Sequence, residues 1–152
     1  MKKGVLLLLL LLVACQAEDK PIEKSVEKPA EHLLLSSTAC LNQEGECRLT
    51  ASQGEVRLSF ADKVLPLQPF ILNLDVSDWP SEVKSVLVDF KMAAMDMGKN
   101  RYSLLKNKEG YWQSRVVLPI CAAGGEEWLL QLRLTDVAGN GGLATVPFRL
   151  QK

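Results

Sequence analysis

The chain has 152 residues, and its eighteen Lys and Arg balance its eighteen Asp and Glu to a formal net charge of zero. The sequence has no basic stripe and no aromatic residues interleaved with Lys or Arg, so we do not expect nucleic acid as a partner. Beyond its N-terminal segments the chain is long enough for one small domain with a single core.

The first fourteen residues have the parts of a secretory signal peptide. Lys2 and Lys3 form the positively charged start, and an almost unbroken run of leucines follows from Val5 to Val13. This apolar run is too short to remain in a bilayer as a spanning helix. Residues 1–14 are therefore predicted to be a signal peptide that is removed after export.

Cys15 directly follows this segment, in the sequence Leu12-Val13-Ala14-Cys15. These residues resemble the lipobox of bacterial lipoproteins, in which the cysteine thiol is acylated and the chain is cleaved before it. The resemblance implies a lipid anchor on Cys15, and two or more acyl chains hold a protein stably on a membrane. Gln16, in place of the Asp that retains lipoproteins in the inner membrane, favours the outer membrane and a periplasm-facing location in the cell envelope. The alternative is a buried cysteine in a secreted protein, but nothing near Cys15 could bury it.

Residues 15–39 are predicted to be the lipidated cysteine and a flexible tether. Up to about Glu31 the chain alternates acidic residues with Lys, includes two prolines, and has few large apolar side chains. Such a stretch cannot bury enough apolar surface to offset its ordering entropy. His32, the only histidine in the chain, lies at the end of this stretch. The folded domain is predicted to occupy residues 40–152.

The domain carries apolar residues at every second position, which is the pattern of half-buried strands. Seven or eight strands are predicted, over residues 47–51, 54–60, 70–76, 86–90, 101–105, 111–118, 130–134 and 146–150. Glycines in Lys108–Gly110 and Ala138–Gly142 supply the positive φ angles that tight turns require. No amphipathic helix is evident. The sequence therefore predicts an all-β fold, an immunoglobulin-like antiparallel β-sandwich, with a small β-barrel as the alternative.

Three cysteines remain when Cys15 is lipidated, in a compartment that permits disulfides. Cys40 and Cys47 are separated by six residues, a spacing at which a loop could bring them into bonding range. A Cys40–Cys47 disulfide is the first choice, and Cys121 is then a free thiol available for metal ligation, redox work or burial. A bridge from Cys121 to either of the others is the open alternative.

Every methionine except the first lies within residues 92–97. Thioether sulfur is soft and suits Cu(I) far better than hard divalent cations, and an extended Met-x-Met places both sulfurs on one side of the backbone. Met95 and Met97 are the best pair, and a Cys121 thiolate would complete a three-coordinate site. Met92 continues the strand alternation and is expected in the core. Met95 and Met97 could equally pack against tryptophans.

A resemblance connects these features. Val88-Asp89-Phe90, then Met95-Asp96-Met97-Gly98, and later Leu118-Pro119-Ile120-Cys121 with Trp128, look like a group of proteobacterial exported lipoproteins that have a methionine–glycine turn and an LPxC segment. The likeness covers roughly residues 40–148. More distantly, the pattern is similar to small periplasmic β-sandwiches of the YtkA, FixH and CopC kind, several of which are linked to copper or to cytochrome oxidase assembly. It implies a functional end formed by Met95, Met97 and Cys121. Those copper carriers usually add histidines, which this domain lacks, and this argues against Cu(II).

No catalytic constellation is visible, because a single histidine near the tether leaves no Ser-His-Asp or Cys-His arrangement. We therefore expect no enzyme. The first hypothesis is a membrane-anchored protein that binds Cu(I) and delivers it to an envelope protein such as an oxidase or a copper exporter. The alternative is an envelope interaction or structural module without metal, in which the methionines only pack. A third and weaker hypothesis is a thiol-redox partner that acts through Cys121.

Overall fold

The structure is a computed structural model that describes residues 32–37, 46–92, 95–120 and 124–150. All regular structure in these ranges is β, which confirms the all-β prediction. The ten strands are β1 (His32–Leu34), β2 (Ser36–Ser37), β3 (Glu46–Ala51), β4 (Gly54–Phe60), β5 (Pro69–Asp75), β6 (Val83–Met92), β7 (Arg101–Lys106), β8 (Trp112–Val117), β9 (Glu127–Asp136) and β10 (Gly141–Arg149). The described part of the chain contains no helix long and apolar enough to cross a membrane.

The strands form one sheet in the order β1-β10-β9-β6-β7-β8-β5-β4-β3-β2. Its two edges are joined by a single short segment, since β1 pairs in parallel with β10 and β2 pairs with β3. Leu35, between them, donates its N–H to the carbonyl of Leu143 at 2.8 Å. The sheet therefore nearly closes, as in the barrel alternative. The last seven strands keep the order of an immunoglobulin sandwich, with β4-β5-β8-β7 on one side and β6-β9-β10 on the other.

All eight strands expected from the period-two pattern are present, with ends that differ by a few residues. The sheet also includes β1 and β2, which fall within the predicted tether, so it begins before the predicted boundary at residue 40. Gly110 and Gly139 have φ angles of 95° and 87°, as the turn prediction requires. Gly141 and Gly142, by contrast, belong to β10 rather than to the turn.

The core fills the space between the two sides of the sheet with the alternate side chains of each strand. Its centre is a set of aromatic rings in edge-to-face contact. Phe90 of β6 lies 6.2 Å from Phe70 and 6.0 Å from Phe148, measured between ring centroids. Such pairs add about 0.5–1.5 kcal/mol each beyond area burial. The rings therefore tie β5, β6 and β10 together across the interior.

The barrel has two ends with different loops. At one end, here named the methionine end, β6 stops at Met92 opposite Trp128, and β8 stops at Val117 opposite Pro69. At the other end, here named the β1 end, β1 starts at His32 opposite Gly141. The register therefore places the connection between β6 and β7 at the opposite end of the barrel from the first strand.

Candidate functional site

The described part of the connection between β6 and β7, residues 95–100, carries two of the predicted metal ligands and is held by several hydrogen bonds. Asp96 Oδ1 accepts a hydrogen bond from the Gly98 N–H at 2.8 Å, and Gly98 has a φ of 71°. Asn100 donates its side-chain amide to the carbonyl of Met97 at 3.3 Å. Its own carbonyl accepts the Phe90 N–H at 2.9 Å. These contacts hold the segment from Met97 to Asn100 against the end of β6.

The three methionines lie in different environments. Met92 is only 7% exposed and belongs to the core, where its place in the strand alternation puts it. Met95 is 42% exposed, whereas Met97 is half-buried and packs against the core. Residues 95–97 lie outside any strand, so the expected same-side placement of both sulfurs does not follow from strand geometry here. Of the two methionines in the connection, Met95 is thus the more exposed and Met97 the more covered.

The cysteines are only partly described. Cys47 is fully buried on β3 and is disulfide-bonded. Cys15, Cys40 and Cys121 lie outside the described residues, so the predicted Cys40–Cys47 pairing stays a prediction. β3 begins at the methionine end, because Glu46 pairs with Ser59 near the end of β4.

Described segments on both sides of Cys121 also lie at the methionine end. Val117 pairs with Pro69 before it, and Glu127 pairs with Arg149 after it. The topology therefore brings three parts of the chain to one end of the barrel: Cys47, residues 95–100 and the described segments on either side of Cys121.

Histidine does not join this group. His32 lies on β1, where its Cα partner is Gly141 at the opposite end of the barrel. Within the described ranges, no three His, Cys, Asp or Glu side chains are grouped so that they could hold a metal ion. The methionine end carries the thioethers of Met95 and Met97, a ligand type that suits Cu(I).

Exposed apolar side chains surround the same end. Leu67 is 61% exposed and has a φ of 58°, in a turn where Gln68 donates its N–H to Leu65 at 3.3 Å. This left-handed conformation costs a residue with a Cβ roughly 1–2 kcal/mol. The Leu67 N–H is held by the Leu118 carbonyl at 2.9 Å, which brings it next to exposed Val117. The fold therefore presents apolar surface to solvent at this end, at a cost in backbone strain.

Charged residues on the outer side of β3, β4 and β5 form a compact network. Arg57 contacts Asp75 at 2.6 Å and Asp78 at 2.8 Å, and Glu46 lies 3.9 Å away. Burial acts to raise the pKa of Asp75. The hydrogen bonds from Arg57 and Ser77 outweigh burial and hold that pKa below its ordinary value. The carboxylates of Asp75, Asp78 and Glu46 in turn raise the pKa of Arg57. The positive charge of Arg57 is therefore balanced by the neighbouring carboxylates, which is typical of a network that stabilises the fold rather than of a binding site.

The outer side of β10, β9 and β6 forms a groove with a volume of about 660 Å³. Its charged lining consists of Asp89, Lys91, Arg101 and Arg133. Arg101 donates to Asp89 at 3.0 Å. This groove was not predicted from the sequence, although the outward positions of β6 and β9 follow from the same period-two pattern that marks the core.

Comparisons with known proteins do not assign this site. No family model matches the chain, and no curated protein matches it significantly.

Proposed function

We propose that this protein is a lipoprotein of the cell envelope, anchored through an acylated Cys15, that binds Cu(I) at the methionine end of its barrel. Met95 and Met97 supply two thioether ligands. Cys121 supplies a thiolate when Cys47 is paired with Cys40. The observation that supports the proposal best is the local backbone structure around Met97, which holds this half-buried residue two positions from the exposed Met95.

The chemistry of this donor set favours Cu(I) over other metals. Thioethers are neutral and soft, and they bind Mg²⁺, Ca²⁺ or Mn²⁺ poorly. Two thioethers and one thiolate would give a neutral three-coordinate complex, which is inexpensive to hold near an apolar core. The exposure of Met95 leaves one side of the complex open to a protein that accepts the metal, such as an oxidase or a copper exporter.

A Cu(I) competition titration tests the metal site. The chain from Gln16 onward, kept anaerobic with ascorbate so that copper stays as Cu(I) while the disulfide stays oxidised, competes with a chromophoric Cu(I) chelator. We expect one Cu(I) per chain and loss of that binding in a Met95→Ala/Met97→Ala variant. Met92→Leu is the matched control, because it removes a sulfur but keeps the buried volume. Equal binding by both variants, or no copper taken from even a weak chelator, would show that the methionines only pack.

A separate measurement tests the anchor. Cells that express the full chain are fractionated, and the mature protein is extracted from membranes and weighed by mass spectrometry. We expect a mass that corresponds to cleavage before Cys15 plus its acyl chains. In a Cys15→Ser variant this modified form is absent. An unmodified N-terminus in the wild-type protein would contradict the proposed lipidation.

The exposed apolar residues favour a second candidate, an envelope interaction module that uses the same end of the barrel. Exposed Leu67, kept in a strained backbone conformation, is its specific support, because unexplained strain points to a functional contact. A photo-crosslinking residue at position 67, compared with one at Leu105, tests this reading. Leu105 is 74% exposed and lies on β7, so it is a matched exposed leucine. Crosslinks of equal yield at both positions would argue against a specific contact.

A further inference from the structure

We propose that the groove on the outer side of β10, β9 and β6 docks on an anionic phospholipid surface. Three cations, Lys91, Arg101 and Arg133, line this groove together with one carboxylate, Asp89. Asp89 is engaged by Arg101 at 3.0 Å. Among the described residues, no carboxylate lies within ion-pairing distance of Lys91 or Arg133, and both are exposed. The groove therefore carries an excess of two positive charges facing solvent.

The network around Arg57, on the outer side of β3, β4 and β5, is a charge-compensated cluster in the same protein. There, Arg57 is enclosed by Asp75, Asp78 and Glu46. The groove and the Arg57 network thus differ in charge balance, although the whole chain is neutral. An uncompensated cationic surface attracts anionic headgroups, and each Lys or Arg near such a surface strengthens binding about fivefold.

Leucines on the same groove suit a lipid surface. Leu34 on β1 is 80% exposed, and Leu87 and Leu143 line the groove beside it. Aliphatic side chains among cations can enter the region between headgroups and acyl chains. An acidic peptide could also pair with these cations. A membrane is favoured because β1, at the rim of the groove, follows closely after the proposed lipid anchor.

The first strand connects this groove to the proposed anchor. β1 forms the rim of the groove, and sixteen residues, 16–31, separate it from Cys15. Such a length spans at most about 55 Å even when fully extended. A lipid on Cys15 therefore keeps the groove within that distance of a bilayer, so even weak affinity is sufficient for docking. This last step rests on the proposed lipidation, whereas the charge of the groove does not.

Vesicle co-sedimentation tests the inference without the lipid anchor. The chain from Gln16 onward, which keeps every described strand, is mixed with phosphatidylethanolamine vesicles that contain phosphatidylglycerol, or with phosphatidylcholine vesicles alone. We expect binding only to the anionic vesicles, and weakening of that binding as salt is raised. A Lys91→Glu/Arg133→Glu variant is expected to bind at least tenfold more weakly.

Lys108→Glu/Arg115→Glu is the matched control, because it reverses the same number of exposed charges away from the groove. We expect this control to lose much less binding than the groove variant, and melting curves check that both fold. Equal loss in the two variants would overturn the proposal, because only net charge would matter. Absence of binding to anionic vesicles at low salt would also overturn it. The assay needs neither acylation nor copper, so its failure is distinct from failure of the proposed function.

Discussion

Gly141 gives the sharpest test of how the barrel closes. A Cβ built at this position would lie 1.9 Å from the backbone carbonyl oxygen of Leu134, where an ordinary contact begins at 3.4 Å. The oxygen belongs to β9, so it cannot rotate away as a side chain would. Gly141→Ala must therefore push β9 and β10 apart by more than an ångström, at the point where β1 also pairs with Gly141.

The cost follows from the hydrogen bonds that this shift would break. The pairing next to Gly141 includes the Asp136 N–H, which donates to the Asn140 carbonyl at 2.7 Å. Loss of two or three such bonds at about 1 kcal/mol each, together with residual strain, should lower the free energy of unfolding by roughly 3–5 kcal/mol. For a domain of this size that corresponds to a fall in Tm of more than about 10 °C.

Gly142→Ala is the matched control one residue along the same strand. Its added Cβ would meet the Leu35 Cδ1 at 2.8 Å and the Trp79 Cη2 at 3.1 Å, which are side-chain atoms that can move. We expect a smaller loss, about 1–2 kcal/mol. Both variants are unfolded with urea and followed by tryptophan fluorescence. Equal midpoints for the two variants, or a Gly141→Ala midpoint close to wild type, would refute the reasoning about backbone closure.

Three further predictions concern the core, the methionines and the dependence of stability on acidic pH. Phe90→Ala should lose about 3–5 kcal/mol in urea unfolding, because the ring is fully buried among Phe70 and Phe148, and Phe90→Leu should lose less. Met92→Ala should lower the free energy of unfolding by about 2–4 kcal/mol, whereas Met95→Ala should lower it by under about 1 kcal/mol, because Met95 is 42% exposed. Similar losses for the two variants would contradict the assigned environments. The folded-state pKa of Asp75 lies below its ordinary value of 3.8, so its contribution is present above that pH and is lost as the pH falls through the lower folded-state pKa. The Tm difference between wild type and Asp75→Asn should therefore be largest near neutral pH and shrink as the pH falls below 3.8, and a difference that grows on acidification would contradict this sign.

The alternation of apolar residues was sufficient to predict the main strands, because each has one face in the core. β6 is a clear case, since Val86, Val88 and Phe90 are all buried and the residues between them are not. The same pattern could not predict β1 and β2, which have three and two residues and no alternation of their own. They are strands because distant partners, β10 and β3, offer unpaired edges. Closure of the barrel is thus a tertiary property that local sequence does not encode.

The candidate site was predictable in its residue types but not in its geometry. Three methionines within six residues are visible in the sequence, yet only packing separates buried Met92 from exposed Met95. The groove shows the reverse case. Its cations come from β6, β7 and β9, so no local motif contains them, and they meet only when the strand order places these strands side by side.

The disulfide of Cys47 links the fold to the proposed copper chemistry. Cys47 is fully buried and bonded, so one of the other cysteines is consumed. If the partner is Cys40, the thiol of Cys121 remains for a complex with two thioethers. If the partner is Cys121, its thiolate is lost from the proposed ligand set, and Cu(I) affinity should fall by orders of magnitude because a charged thiolate is a far stronger ligand than a neutral sulfur. Peptide mapping of the unreduced chain identifies the partner, and the titration measures the affinity independently. Tight binding together with a Cys47–Cys121 bridge would therefore contradict the proposed ligand set, even if Met95 and Met97 were both required.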